Sequence, residues 1–258
     1  MPPEHTPVST HKWFRPLIAL IALGALIYLG LRTSKEPAPP EVVGQTPVVP
    51  AMWPSEEQRQ ETITDASSGY DITAKYPVTK SEVITNIMKT FVTDSIASFK
   101  SDTALSDDVA AEYGPFTMDV TYRDVKNDAA DNYIFSSYSD TGGAHGLSVT
   151  TTFSFASDGK QLSLSSLFTD TTKGLAAVAV YVQKELLTRE FADKTWIEEG
   201  AAPTKDNYAR FVVDPSGVTF YFDQYQVAAY AAGIQDVKVP LSAFRSFANL
   251  SLFATPTR

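Results

Sequence analysis

The chain has 258 residues, enough for one medium-sized domain with accessory segments, and 43% of them are hydrophobic and 12% aromatic. Cysteine is absent, which excludes a disulfide framework, a thiolate metal site and a lipidated cysteine. The formal net charge is −9, and beyond the first 40 residues 28 acids stand against 17 bases, a net −11 that repels nucleic acid and anionic headgroups and either attracts basic partners or serves solubility alone.

Leu17 to Leu31 is an uncharged apolar run. Extended back to Trp13, with Arg15 snorkelling, it reaches about 28 Å, close to a hydrocarbon core. A cleaved signal peptide is the competing reading, but no small-residue cleavage site follows Leu31. The expected organisation is a short cytoplasmic tail (1–12), a single transmembrane anchor (13–31) and a proline-rich spacer (32–66). A folded extracytoplasmic domain follows in two successive parts (67–144 and 145–250), with a tail at 251–258. Localisation is then the cell membrane, single-pass, with the C-terminal domain outside.

Within the domain, Tyr70, Ile72 and Ala74 alternate with polar residues as a strand does. Thr79-Lys80-Ser81-Glu82 matches a capping box, and apolar residues from Val83 to Phe99 recur at helical spacing, which predicts a helix over about 80–100. The period then changes to two over Phe116–Arg123, Tyr133–Tyr138 and Leu147–Phe155, the pattern of antiparallel strands with one buried face. Asp170 or Thr171 can cap a second helix running to about Phe191. Phe211–Val213, the turn Asp214-Pro215-Ser216-Gly217 and Val218–Phe222 form a hairpin; Val237–Val239 is a last strand, followed by a short helix at Ser242–Phe247. The fold class is α+β: an antiparallel β-sheet packed with two main helices, preceded by one N-terminal transmembrane helix.

Two segments carry a resemblance: Tyr138 to Gly146, with its Gly-Gly-Ala-His-Gly turn, and Phe220 to Gly233 running on to Leu241. Together with Tyr76-Pro77-Val78 and the helix after it, they resemble the extracytoplasmic domain shared by the lysozyme-sensing anti-sigma factor RsiV and the peptidoglycan deacetylase PdaC. The resemblance spans about residues 70–248 and implies an antiparallel sheet with helices, in two sequential parts, and a role at the cell envelope. Few residues precede the apolar run and the chain ends at Arg258, so neither the anti-sigma nor the deacetylase activity is expected to carry over.

The sequence offers little catalytic chemistry. His145 is the domain's only histidine, and no nucleophile elbow, His-Glu-x-x-His or phosphate loop occurs. Ser157-Asp158-Gly159-Lys160 fits Ser-x-x-Lys but reads as a hairpin turn. Glu198-Glu199 and Asp107-Asp108 point apart as neighbours and read as solvated loops. Asp124, Asp128 and Asp131 flank Asn127 and Asn132 without EF-hand spacing. No catalytic residue, metal ligand or cofactor is assigned, and the chain is expected not to be an enzyme.

The expected ligand-binding residues are Gly142, Gly143, His145, Tyr221, Tyr225 and Tyr230. His145 either closes its turn by hydrogen bonding or presents an imidazole to a ligand. The tyrosines either pack in the core or line a groove. The function expected is a membrane-anchored binding module of the bacterial cell envelope, with a basic protein such as lysozyme, or cell-wall glycan, as partner and no nucleic acid. The alternatives are an enzyme acting on envelope polymers through an unrecognised carboxylate site and a purely structural membrane-proximal domain.

Overall fold

A computed structural model describes residues 59–67, 69–103 and 114–253, all within one compact unit that starts at Ser55. The expected anchor at 13–31 lies outside the described residues, as do Asp107 and Asp108; among the described residues no helix is long and apolar enough to cross a membrane.

The unit is α+β, with two sheets and four α-helices among the described residues. The first sheet has the order β1-β2-β3-β4-β5, formed by Gln60–Ser67, Tyr70–Pro77, Phe116–Lys126, Asp131–Asp140 and Leu147–Phe155. Helix α1 (Glu82–Asp102) covers one face, burying Ile84, Met88 and Val92 against Ile72, Val120, Tyr133 and Phe135. Its cap is Ser81, whose Oγ accepts from the Ile84 N–H at 3.4 Å, while the Thr79 hydroxyl serves the turn before it.

The sheet is mixed, which corrects the antiparallel expectation. β2 pairs with β3 in parallel, from Tyr70 opposite Phe116 to Ala74 opposite Val120. Alternation reports which face is buried, not strand direction; α1 carries the chain back along the sheet, so the next strand starts from the same end. Strand β1 occupies the end of the segment read as spacer. It pairs with β2 along its whole length, and its side chains reach the body of the unit where Asp65 meets Lys100 and Glu61 accepts from the Tyr76 hydroxyl. Buried beside that carboxylate, the Tyr76 phenol is pushed up to about 12.

The second sheet has the order β6-β7-β8: Phe211–Asp214, Gly217–Phe222 and Gln235–Pro240. It forms the larger core with α2 (Thr171–Leu186), α3 (Lys194–Gly200) and α4 (Leu241–Phe244). Asp170 caps α2 by accepting from Lys173 N–H at 3.1 Å. The boundary expected at 144/145 falls between β4 and β5, which are paired neighbours of one sheet.

The β6–β7 turn gives a pH prediction. Burial alone would raise the Asp214 carboxyl, but hydrogen bonds from Ser216 and Lys238 outweigh it, and the net shift is downward. A lowered folded value means stability that is present above the unfolded value near about pH 4 and is lost as pH falls through the folded one. Asp214→Asn should therefore flatten the acid limb of a melting-temperature profile between pH 5 and pH 2; a limb as steep as that of the wild type would refute this assignment.

Candidate functional site

The site grows from the turn between β4 and β5. Asp140 Oδ1 accepts from Gly142 N–H at 2.9 Å, closing an Asx turn in which Gly142 has φ 76°. Gly146 is buried against the Tyr138 ring, so that a Cβ added there would overlap the ring, whereas a Cβ on Gly143 meets nothing nearer than the His145 carbonyl oxygen at 4.0 Å. Gly142→Ala should thus cost about 1–2 kcal/mol from the left-handed backbone. Gly146→Ala should cost less, because the overlap is with the tip of the exposed Tyr138 ring, which can swing aside, and Gly143→Ala close to nothing, in urea denaturation. A destabilised Gly143→Ala would show that the turn is held differently.

His145 is exposed, yet both of its ring nitrogens are engaged. Nδ1 lies 3.1 Å from the Gly146 carbonyl oxygen, which can only accept, so the neutral ring carries its proton there. Nε2, 3.2 Å from the Tyr225 hydroxyl, is then left to accept from it. The imidazole stacks on Tyr230, with centroids 3.8 Å apart and planes at 21°, and the Tyr230 hydroxyl donates to the same Gly146 carbonyl at 3.0 Å. Tyr225 is 45% exposed and its backbone is left-handed, with φ 66°.

What holds Tyr225 outward is the edge of the first sheet. β5 is an edge strand, and two of its outward N–H groups are taken up by side chains of the loop after β7. Gln224 Oε1 accepts from Ser148 N–H at 2.9 Å and Asp223 Oδ1 from Thr150 N–H at 2.8 Å. Arg210 donates from Nε to the Thr150 carbonyl at 2.9 Å and pairs through Nη2 with Asp223 Oδ2 at 2.7 Å. Arg210 and Asp223 together thus satisfy the Thr150 peptide as a sixth strand would. Burial pushes the Asp223 carboxyl up, against the opposing pull of the Arg210 cation and the Thr150 N–H. Gln226 Nε2 completes the loop, donating to the Gly200 and Asn207 carbonyls at 3.0 and 3.2 Å.

Two further aromatics belong to this surface. Trp196 lies 6.3 Å from Tyr225, ring to ring, on α3, whose cap Asp193 accepts from Trp196 N–H at 3.0 Å. Glu198 and Glu199, read from the sequence as loop residues, are on the exposed side of this same helix. Tyr138, 39% exposed, abuts Gly146; burial first and the Asp140 carboxylate second raise its phenol.

Of the expected residues, Gly142, Gly143, His145, Tyr225 and Tyr230 are thus gathered in one place. Tyr221 is not with them. It is 9% exposed and packs with Ile134 and Val212 between the sheets, its hydroxyl accepting from Arg123 Nη2 at 2.9 Å. In β7, Phe220 and Phe222 face the helical core and Tyr221 the first sheet, so both faces of that strand are covered. Among the described residues no three His, Cys, Asp or Glu side chains come together as a metal site. Asn127 and Asn132 bind backbone instead, Asn127 Oδ1 accepting from the Ala129 and Ala130 N–H groups and Asn132 joining β4 to β6.

Residues 165–242 match the family described as Protein of unknown function (DUF3298). That DUF3298 match contains Trp196, Arg210, Asp223, Tyr225 and Tyr230, the C-terminal half of the site. The chain is also 28% identical over 244 residues to the peptidoglycan-N-acetylmuramic acid deacetylase PdaC of Bacillus subtilis (strain 168), over 91% of this chain and 50% of that protein. The chain spans about half the length of this curated relative. A DUF3298 family protein from Bacteroides fragilis has the same fold, with a TM-score of 0.51 at 17% identity over 78% of this chain and 95% of its own. A DUF3298 protein from Pseudomonas aeruginosa gives a TM-score of 0.49 at 16% identity over 79% and 99%. The resemblance to the PdaC domain read from the glycine turn and the Phe220–Gly233 segment therefore stands. The expectation that the chain is not an enzyme does not: the relative that it matches over nine-tenths of its length is an enzyme.

Proposed function

We propose that this chain is a protein of the cell envelope and that its folded unit engages peptidoglycan through the aromatic surface around His145. The observation that carries the reading is the gathering of exposed His145 and Tyr225 with half-buried Trp196 and Tyr230, from three separate segments, in a chain related along most of its length to a peptidoglycan deacetylase. Rigid aromatic side chains supply contact area at small entropic cost, which is why they dominate binding hot spots. The N-terminal apolar run at 13–31 would hold the unit at the outer face of the membrane.

Sedimentation of the full chain with insoluble peptidoglycan tests the proposal. The wild type should co-sediment, and a His145→Ala/Tyr225→Ala double variant should stay in the supernatant with its melting temperature nearly unchanged, because both side chains are exposed. A wild type that stays in the supernatant ends the reading. Acetate release in the same mixture measures whether the relative's activity extends to this chain. The net −11 beyond the first 40 residues supports a second reading, a basic protein such as lysozyme as partner. That binding should weaken as the Debye length falls from about 10 Å at 0.1 M salt to about 3 Å at 1 M, whereas stacking on sugar rings should not.

A further inference from the structure

We infer that Trp196, Tyr225 and Tyr230 are stacking positions for consecutive sugar rings, so that the unit binds the glycan strand of the polymer and not its stem peptides. The inference rests on the peptidoglycan reading above and specifies the ligand of the same surface. The rings follow one another as a series: Trp196 to Tyr225 at 6.3 Å and 35°, Tyr225 to Tyr230 at 5.7 Å and 37°. His145 backs the last of them at 21°. Planes so mildly tilted present a run of π faces, which suits the flat C–H faces of pyranose rings.

Each ring is set in position by polar contacts that need no ligand. Asp193 caps the helix of Trp196, Gln224 and Asp223 pin the loop of Tyr225 to β5, and Tyr230 donates to Gly146. A site ordered in advance loses little freedom on binding. The same contacts argue against a peptide ligand. An extended peptide is captured by free backbone groups at a sheet edge. Here the edge groups nearest the rings are spent: Ser148 N–H, Thr150 N–H and the Thr150 carbonyl on side chains, and the Gly146 carbonyl on both His145 and Tyr230. Aromatic faces and the Tyr225 oxygen as an acceptor remain, its proton being held by His145 Nε2, a chemistry for rings edged with hydroxyl groups.

Titration of the full chain with a β-1,4-linked N-acetylglucosamine tetramer, followed by tryptophan emission, tests the inference; a synthetic stem peptide and intact peptidoglycan run in parallel. The tetramer should change the emission of the wild type and leave that of Trp196→Phe unchanged, although Trp13 and Trp53 remain. By isothermal calorimetry, which does not depend on the tryptophan, Trp196→Ala should weaken tetramer binding by about tenfold or more, and Trp196→Tyr should restore most of it. Response to the stem peptide but not the tetramer, or tetramer binding unaffected in Trp196→Ala, overturns the inference. If intact peptidoglycan still binds in those cases, the peptidoglycan reading survives. If intact peptidoglycan does not bind either, both fall.

Discussion

Asn132→Ala is expected to lower the unfolding free energy by about 3–5 kcal/mol, among the largest effects of any single change in this protein. The side chain is fully buried and stands between the two sheets. Its Oδ1 accepts from Val213 N–H at 3.1 Å and from the Ser154 hydroxyl at 2.7 Å. Its Nδ2 donates to the carbonyls of Val213, Val125 and Ala130 at 3.1, 2.9 and 3.2 Å. The amide therefore offers β6 the same donor and acceptor that a neighbouring strand would offer. Alanine leaves a cavity and strands the Val213 N–H in the interior, while the Val213 carbonyl keeps its bond from Asn127 at 3.0 Å. Leucine fills the volume and still strands the N–H, so Asn132→Leu should be destabilised to a similar degree. Ser154→Ala removes a single bond and should cost about 1 kcal/mol. Urea denaturation of the three variants measures the ordering; an Asn132→Leu protein as stable as the wild type would show that packing, not hydrogen bonding, joins the sheets.

Arg210→Met is the second. Taking away one partner of a buried ion pair leaves the other charge uncompensated, at a cost of about 3–5 kcal/mol. Side-chain exposures of 21% for Arg210 and 13% for Asp223 leave the pair partly in water, which puts the cost at the lower end of that range. Burial already raises the Asp223 carboxyl, and without the guanidinium it must rise further. A folded value above the unfolded one gives a contribution that is present below the unfolded value and lost as pH rises through the folded one. The variant should therefore be most destabilised near neutral pH and recover relative to the wild type on acidification toward pH 4. Melting temperatures at pH 7, 5.5 and 4 read this out. A deficit that stays constant across the series would mean that Asp223 is ionised at no net cost. The same variant should weaken peptidoglycan binding, since Arg210 and Asp223 hold the loop that carries Tyr225.

Much of this was legible along the chain because it depends on neighbours in sequence. The helical spacing from Val83 to Phe99 became α1, the cap at Asp170 became the start of α2, and the Asp214–Gly217 turn joins β6 to β7. The glycine-rich turn was also legible, but not which residue goes left-handed: of the glycine pair it is Gly142. A turn dictates that one residue go left-handed, and only the Asx bond from Asp140 selects which.

What the tertiary structure alone decided were the pairings between segments far apart. Strand β1 is charged and mostly exposed, so no apolar period betrays it; it exists because β2 offers it a free edge. Alternation in β3 did not disclose that it runs parallel to β2, since burial of one face is blind to direction. Alternation sets Tyr221 opposite Phe220 and Phe222 without telling what lies there; a second sheet covers that face and Arg123 meets its hydroxyl. Asn132, in a cluster of acids and amides, carried no sign that it would meet Val213, 81 positions on. Trp196 joins Tyr225 only because Gln226 ties the loop to the end of α3. In each case a polar group or a ring is matched by one that folding brings opposite it. Composition and period state what a segment must bury, and the fold decides against what.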